Sequence, residues 1–314
     1  MGLLVADVGG TNTRIGWSPA PGAPVERVEV RDTAAAGSLD ALLADWVAGG
    51  HPAPAAVVAA VAGPVDGAVA RLTNAAWDAD LRRLPVPGLL LNDLAALAAA
   101  LPVLGAGGQV SLRAGPVAPG PQVVLGIGTG LGECIVHNGI VLPGEGGHKV
   151  FGPPDARGRA FAAHLAVRLG RPPSWEDVLS GSGLGRLAQF VSLEHGPSPL
   201  ASAVWAGSPE DAAARTTAAA ASGDPLALAV CAAFAAWAAC EVRNLSLQVL
   251  AGGAWIGGGV APRIPIPVWK AAFGEAAHLG GPLDARAAAV PVALITHATP
   301  ALLGAAAAGW ARFG

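Results

Sequence analysis

The sequence predicts an α/β fold with parallel sheets, and two observations support that prediction. First, apolar strand-like runs such as "LLVADV", "LLLND", "QVVLGIG" and "PVALIT" alternate with helical stretches such as "LDALLADWVA" and "RAFAAHLAVRLG". This alternation is typical of parallel sheets with helices on both faces. Second, charged residues make up only 13% of the chain, yet Asp7 and Asp93 both stand where an apolar strand ends. Because α/β sheets bind ligands beyond the carboxyl ends of their strands, we expect a site there.

A short internal repeat predicts that the chain contains two related domains. "DVGGTNTRIGW" near the start resembles "GIGTGLGECIV" at 126–136, since each is an apolar run, a Gly/Thr turn and a second apolar run. A chain of 314 residues is also long enough for about two domains. The uncharged segment 95–108 leads toward the second copy, so we predict a crossing near residue 104.

The charge balance indicates a small-molecule partner. The net charge is −3 and the isoelectric point is about 6.1. The chain has no basic run of the kind that binds nucleic acid through its phosphates. Nucleic acid is therefore not an expected partner.

Two apolar segments require a test for a membrane span, because 53% of the residues are hydrophobic. The uncharged run at 225–240 is shorter than the ~20 residues of a spanning helix. The run at 244–260 is interrupted by glycine and polar residues. We therefore expect both to be buried elements and predict no membrane partner.

The N-terminal and cysteine patterns favour the cytoplasm. No basic stretch precedes the first apolar run, and Asp7 interrupts it, so a signal peptide is not expected. Cys134, Cys231 and Cys240 are an odd number without CxxC spacing, which argues against a disulfide framework or a zinc site. We expect buried thiols.

The two Gly/Thr turns are the best candidates for phosphate binding. The chain contains no GK[ST] and no G-x-G-x-x-G, so the common P-loop and dinucleotide motifs are absent. Glycine lets successive backbone N–H groups approach an anion, and threonine adds a hydroxyl donor. Either turn taken alone is equally typical of a hairpin. Asp7 would hold Mg²⁺ through water, since that ion keeps much of its hydration shell.

The stretch "LNDL" offers a carboxylate and an amide side by side at the end of a strand. For phosphoryl transfer, Asp93 would take the proton of an acceptor hydroxyl while Asn92 orients the same alcohol. The alternative is that Asn-Asp is simply a helix N-cap.

Two further segments carry candidate hydroxyl-binding residues. "LPGEGGHKVFGP" places Glu145 and His148 three positions apart among glycines, too few ligands for a metal but suited to a polyol. "SWEDVLSGSGLGRL" places Glu176 at the start of an apparent helix, where it either caps the helix or contacts another hydroxyl.

Together these motifs resemble those of the bacterial glucokinases. The matching stretches, in order, are "ADVGGTNTR", "LTNAAW", "LLLND", "GIGTGLG", "LPGEGGH", "WEDVLSGSGL", "WIGGGVAPR" and "TPALLGAAA". The resemblance spans essentially the whole chain. It implies a hexose kinase of the actin/hexokinase/Hsp70 superfamily.

The resemblance also implies a fold and a domain division. The fold would be two actin-like ATPase domains of βββαβα, ribonuclease H-like type, with ATP and sugar in an interdomain cleft. The C-terminal helix would pack back onto the first domain. The implied domains are a small one, 1–103 plus 298–314, and a large one, 104–297.

The family's site residues carry over to matching positions of this chain. The resemblance implies glucose 6-phosphate formation from ATP and Mg²⁺, the first step of glucose use in glycolysis, by a homodimer with Asp93 as general base. The implied sugar-binding residues are Asn74, Asn92, Asp93, Glu145, His148 and Glu176. The implied nucleotide-binding residues are Asp7, Gly9, Gly10, Thr11, Asn12, Gly128, Thr129, Gly130, Gly258 and Gly259, with Asp7 also serving Mg²⁺.

Two departures from related patterns refine the prediction. The cysteine-rich zinc motif of the ROK sugar kinases is missing after "GEGGH", which favours the zinc-free glucokinase branch. "WIGGGV" has glycine where alanine is usual in the adenosine motif, so the choice of nucleotide stays open. Two alternatives also remain: a kinase for another hexose, and a sugar-binding sensor without turnover.

Overall fold

The computed structural model describes residues 2–72, 77–275 and 281–314. Asn74, one of the predicted sugar-binding residues, lies outside the described residues. The chain divides into two compact units. Unit 1 comprises Met1–Gly108 and His297–Gly314, and unit 2 comprises Gln109–Thr296.

Both units contain strands and helices. The strands are β1 (Leu3–Val8), β2 (Asn12–Ser18), β3 (Glu26–Asp32), β4 (Ala56–Val61), β5 (Val65–Asp66), β6 (Val69–Ala70), β7 (Ala79–Asp80), β8 (Gly88–Asn92), β9 (Gln109–Arg113), β10 (Gln122–Ile127), β11 (Leu131–His137), β12 (Ile140–Gly144), β13 (Gly253–Gly257) and β14 (Val292–Ile295). The helices are α1 (Thr33–Ala36), α2 (Leu39–Ala48), α3 (Asp93–Ala99), α4 (Ala156–Leu169), α5 (Trp175–Val178), α6 (Gly181–Ser192), α7 (Pro199–Ala203), α8 (Pro209–Ala221), α9 (Pro225–Val249), α10 (Ile266–Glu275), α11 (Asp284–Ala288) and α12 (Pro300–Phe313).

The main sheet of unit 1 has the strand order β3-β2-β1-β4-β8. β1 pairs antiparallel with β2 and parallel with β4, and β4 pairs parallel with β8. The side chains of β1 alternate between two apolar layers, as strand geometry requires. Leu4, Ala6 and Val8 pack with α2, whereas Leu3 and Val5 pack with α12. The parallel strands β1 and β8 therefore bring Asp7 and Asp93 to the same edge of one sheet.

The C-terminal helix α12 belongs to unit 1. A Cβ added at Gly304 would lie 1.7 Å from the carbonyl oxygen of Ala96 on α3, so the two helix backbones are in direct contact. His297 N–H donates to the carbonyl of Gly108 at 3.0 Å and joins the two segments of the unit. The first division falls between Gly108 and Gln109 rather than near residue 104, because the turns at 101–108 stay with unit 1.

The main sheet of unit 2 has the strand order β12-β11-β10-β13-β14-β9. β10 pairs antiparallel with β11 and parallel with β13, and β13 pairs parallel with β14. The first five strands repeat the order and directions of the sheet in unit 1, and β9 adds an antiparallel edge. The internal repeat in the sequence is thus a repeat of one α/β plan, and the predicted fold class is confirmed.

Helix α9 runs through the core of unit 2. It is 25 residues long, so it exceeds the apolar run at 225–240 and is long and apolar enough to cross a membrane. About two-thirds of its most apolar window is buried, against α6, α8 and α10. The prediction that this segment is too short to span was wrong, since the helix continues through polar residues to Val249. The prediction that it is buried is confirmed.

The three thiols lie in the core of unit 2. Cys134, Cys231 and Cys240 are free and buried. Burial raises the pKa of Cys134 and of Cys231 to about 12 and that of Cys240 to about 11, because the thiolate would lose its hydration. They are structural thiols, as the sequence predicts.

Candidate active site

The first glycine turn joins β1 to β2 in unit 1. Gly9 N–H donates to the carbonyl of Asn12 at 3.1 Å and closes the turn. The fully buried Thr33 supports it from below: its hydroxyl donates to the Gly9 carbonyl at 2.8 Å, and its N–H donates to the Thr11 carbonyl. Among the described residues, nothing accepts from the N–H groups of Gly10 and Thr11. The turn is therefore both a hairpin and a pair of free amide donors.

The second glycine turn joins β10 to β11 in unit 2 and repeats this arrangement. Gly128 N–H donates to the carbonyl of Gly130 at 2.9 Å, and the Gly128 carbonyl accepts from Gly181 N–H at the start of α6. In the described part of the chain, the N–H groups of Thr129 and Gly130 have no acceptor either. Each turn thus uses its first glycine amide internally and leaves the next two amides available to an anion.

The turn after β13 lies beside the second glycine turn. β13 runs parallel to β10, so both turns emerge at the same edge of the sheet. Gly258 has φ +96°, and a Cβ there would lie 2.4 Å from the carbonyl oxygen of Ile127. Only glycine fits this backbone. Gly259 is exposed and open, which suits contact with a nucleotide.

Asp7 lies at the end of β1, half-buried, opposite Arg14 on β2. The Arg14 Nη1 to Asp7 Oδ2 distance is 3.6 Å. Burial raises the pKa of Asp7 to about 6, Arg14 opposes the rise, and the nearby carboxylate of Asp93 adds to it. The protein alone thus leaves the charge of Asp7 poorly compensated.

Asp7 fits the magnesium ion that the fold family implies. The described residues contain no group of three or more His, Cys, Asp or Glu side chains that would cage a metal. Mg²⁺ needs no such cage, because it is typically held by one or two carboxylates, waters and substrate phosphates. Asp7 supplies such a carboxylate, and the free turn amides beside it can hold the phosphate that supplies further oxygen ligands.

Asn92 and Asp93 lie where β8 leads into α3. Asn92 is the N-cap of α3: its Oδ1 accepts from Leu94 N–H at 2.9 Å, and its Nδ2 donates to the Gly63 carbonyl at 3.2 Å. Asp93 Oδ1 accepts from the same Leu94 N–H at 2.8 Å. Asn92 therefore caps the helix, as the alternative predicts, and its two hydrogen bonds hold its side chain in place. The cap does not conflict with the predicted role of Asn92 in the site.

The carboxyl group of Asp93 is exposed but electrostatically perturbed. Neighbouring protein atoms displace part of its water and raise its pKa above the usual value, while the hydrogen bonds from Leu94 and Asn92 oppose this. A raised pKa makes the carboxylate a stronger base. Asp93 thus combines exposure with basicity.

Glu145, His148 and Glu176 come together in unit 2. His148 Nε2 lies 3.7 Å from Glu145 Oε2, and His148 Nδ1 lies 4.0 Å from Glu176 Oε1. Glu145 is almost fully exposed and Glu176 about one-third exposed, so the group faces solvent with free donors and acceptors. The cluster is suited to several hydroxyls of one polyol.

Glu176 also contacts the second glycine turn. Its Oε2 accepts from Leu131 N–H at 3.0 Å, directly after Gly130. A Cβ added at Gly130 would lie 2.5 Å from this oxygen. One carboxylate therefore connects the polyol cluster to the turn with free amides.

Sequence reasoning missed four residues around these groups. Arg14 faces Asp7 across the β1–β2 hairpin, and both residues belong to the motif "ADVGGTNTR". Glu133, Lys149 and Glu241 form a charge cluster beneath residues 145–149. The available signals were a glutamate inside the apolar strand "LGECIV", another inside a long apolar helix, and one of only two lysines directly after "GEGGH".

Comparisons with known proteins show the family to which this chain belongs. A family model described as Glucokinase matches residues 4–311. A glucokinase of Chromobacterium violaceum is 34% identical, over 97% of this chain and 88% of the relative. The crystal structure of a glucokinase from an Antarctic psychrotroph is 26% identical, with a TM-score of 0.81 over 98% of each chain. A ROK family glucokinase from Streptomyces griseus, solved with glucose and AMPPNP, is 22% identical with a TM-score of 0.68 over 98% of each chain.

The duplicated sheet, the two glycine turns and the polyol cluster define the class of protein, an ATP-dependent sugar kinase of the actin-like ATPase fold. Within that class, the chain belongs to the glucokinase family.

Proposed function

We propose that the protein transfers the γ-phosphoryl group of ATP to the 6-hydroxyl of D-glucose, with Mg²⁺ as cofactor. The observation that carries the proposal is the double role of Glu176, whose Oε2 contacts the second glycine turn while its Oε1 faces His148. A carboxylate shared by an anion-binding turn and a polyol cluster suits an enzyme that brings phosphate and sugar together. The relatives named glucokinase support glucose as the sugar.

In this proposal each residue set has one task. Glu145, His148 and Glu176 hydrogen-bond glucose hydroxyls and orient the sugar. Asp93 accepts the proton of the 6-hydroxyl as the new O–P bond forms, and Asn92 keeps the end of β8 rigid around it. The free amides at Gly10, Thr11, Thr129 and Gly130 donate to phosphate oxygens; Gly258 and Gly259 border the adenosine. Asn74 keeps its predicted place in the sugar site. The nucleotide site keeps Gly9, Asn12 and Gly128.

Asp7 would hold the Mg²⁺ through water. When bound, this ion neutralises the developing charge on the transferred phosphoryl group. Arg14 keeps the Asp7 carboxylate aimed along the sheet edge. A homodimer in the cytoplasm, where ATP is supplied, completes the proposal.

The test is ADP production in a coupled assay with a panel of hexoses and several phosphoryl donors. We expect turnover with glucose and ATP that depends on Mg²⁺. A site built to hydrogen-bond the hydroxyls of one sugar discriminates against a sugar that lacks one of them. Preference for fructose, mannose or an N-acetylated sugar would support the other-hexose alternative. Glucose binding without ADP release would support the sensor and contradict the proposal.

A further inference from the structure

Two buried glutamates and one half-exposed lysine form a charged cluster beside residues 145–149. Glu133 on β11 and Glu241 on α9 are both almost fully buried. The ammonium of Lys149 lies 2.9 Å from Glu133 Oε2 and donates a short hydrogen bond to Glu241 Oε1. Asn244 Nδ2 donates to the other oxygen of Glu241 at 3.0 Å. One lysine thus holds two buried carboxylates.

Lys149 connects this cluster to both halves of the polyol group. It directly follows His148, and its carbonyl accepts from Trp175 N–H at 2.9 Å, at the residue before Glu176. A β-bridge between Val150 and Ser174 continues this contact. The backbone of Lys149 therefore sets the distance between His148 and Glu176, and its side chain is tied to the core.

The preceding glycines rest directly on the same cluster. A Cβ added at Gly146 would lie 1.8 Å from Glu133 Oε2. A Cβ at Gly147 would lie 2.2 Å from the carbonyl oxygen of Leu131. Because Gly146 and Gly147 have no side chains, their backbone lies directly against Glu133 and β11.

Stability alone does not account for the cluster. Buried ion pairs are commonly no more stable than well-packed apolar side chains of similar volume, because the desolvation of both charges offsets their attraction. Two buried acids with one lysine carry a net negative charge when all are ionised. The cluster does fix the position of the Lys149 ammonium, because two carboxylates on different elements contact it.

We propose that Lys149 is a positioning residue for hexose binding: Glu133 and Glu241 hold its ammonium, and its backbone thereby fixes Glu145, His148 and Glu176 against the same sugar. The proposal rests on the hexose-binding roles assigned above. In this proposal, Lys149, Glu133 and Glu241 affect which sugar binds without contacting the sugar.

The test compares Lys149→Met with a triple variant, Lys149→Met/Glu133→Gln/Glu241→Gln. The single variant leaves two buried acids unpaired and loses stability. The triple variant removes all three charges at nearly constant volume, which restores much of that stability. We expect both to raise the KM for glucose about tenfold or more, because small misplacements of binding groups are costly, while the KM for ATP changes less than twofold. Arg243→Met is the matched control, since it breaks an ion pair from the same helix to Asp284 at 2.8 Å, away from residues 145–149.

Trp fluorescence gives a second readout that does not depend on turnover. Glucose titration should show the same weakening in both Lys149 variants, since Trp175 adjoins Glu176, and no weakening in Arg243→Met. If the triple variant regains wild-type glucose affinity, the cluster serves stability only and the proposal is overturned. An unchanged glucose KM in folded Lys149→Met overturns it as well.

A separate variant distinguishes this outcome from failure of the proposed function. Glu176→Gln should raise the glucose KM if the polyol cluster binds sugar at all. Normal wild-type turnover, an impaired Glu176→Gln and an unaffected Lys149→Met would reject the positioning role alone. Absence of any effect in Glu176→Gln would reject the assigned sugar site itself.

Discussion

Two pairs of carboxylates, one in each unit, are compensated in different ways. In unit 1, burial and the nearby carboxylate of Asp93 raise the pKa of Asp7, and the guanidinium of Arg14 lies 3.6 Å from it. In unit 2, Glu133 and Glu241 are more deeply buried but share the ammonium of Lys149. The first pair is partly open to solvent, whereas both glutamates of the second pair are buried and their shared lysine is half-exposed.

In the proposed function, this difference separates the acids that would meet substrate from those that would support the site. Accessible carboxylates whose negative charge is not balanced by a close cation of the protein can bind a metal ion or take a proton from a substrate. A buried pair that shares a half-exposed lysine of the protein has part of its charge compensated internally, and its burial keeps it from direct contact with a ligand. Perturbed pKa values occur in both pairs; exposure is what distinguishes them.

The largest expected effect is that of Asp93→Asn on turnover. The change keeps the size of the side chain but removes the proton acceptor, so kcat should fall at least about 10²-fold with little change in the KM for glucose. The coupled ADP assay measures both constants. Asp224→Asn, the same change at the N-cap of α9, is the control and should retain activity, because asparagine caps helices as well as aspartate does. Near-normal turnover in Asp93→Asn would remove Asp93 from its proposed role.

Asp7→Asn should weaken Mg²⁺ binding and stabilise the free protein. Loss of the carboxylate should raise the Mg²⁺ concentration for half-maximal activity about tenfold, as for other groups that hold a metal through water. Titration of Mg²⁺ at saturating ATP measures this.

The same variant has a pH signature. Asp7 titrates at about 6 in the folded protein against 3.8 in the unfolded chain, so the folded state binds more protons between these values. The free energy of unfolding therefore decreases as pH rises from about 3.8 to 6, and the loss persists above it. Asp7→Asn removes this loss and should gain about 1 kcal/mol at pH 7, measured by urea unfolding without ligands. A less stable variant would show that Arg14 compensates Asp7 fully.

The smallest expected effect concerns the buried pair, Glu133 and Glu241. Burial and the neighbouring Glu241 raise the pKa of Glu133 to about 7 from 4.5, although Lys149 opposes the rise. By the same reasoning, wild-type stability falls as pH rises from about 4.5 to 7. Glu133→Gln leaves Lys149 paired with Glu241 and should be more stable than wild type at pH 8 by about 1 kcal/mol, with the difference vanishing near pH 4. A difference independent of pH would contradict the assigned titration.

Local sequence patterns were enough for most of the fold. The strands, the Gly/Thr turns and the acids at strand ends follow from short-range periodicity and from residue chemistry, and both sheets carry them as predicted. The sequence pattern underestimates the length of α9, because the uncharged apolar run ends at Cys240 whereas the helix continues to Val249. Buried helix faces tolerate residues such as Glu241 when a partner is available, and that partner, Lys149, lies 92 residues earlier.

The sequence by itself determined which residues are candidates for phosphate and polyol binding, because each stands in a recognisable local pattern: the turn glycines, Asp7, Asp93, Glu145, His148 and Glu176. The tertiary structure alone decided which of them share a neighbour. That Glu176 caps the amide after Gly130, that Arg14 opposes Asp7 and that Lys149 joins two buried acids depend on strand register and helix packing across long separations. Those contacts form only when the core orders the elements, so no single stretch of the chain encodes them.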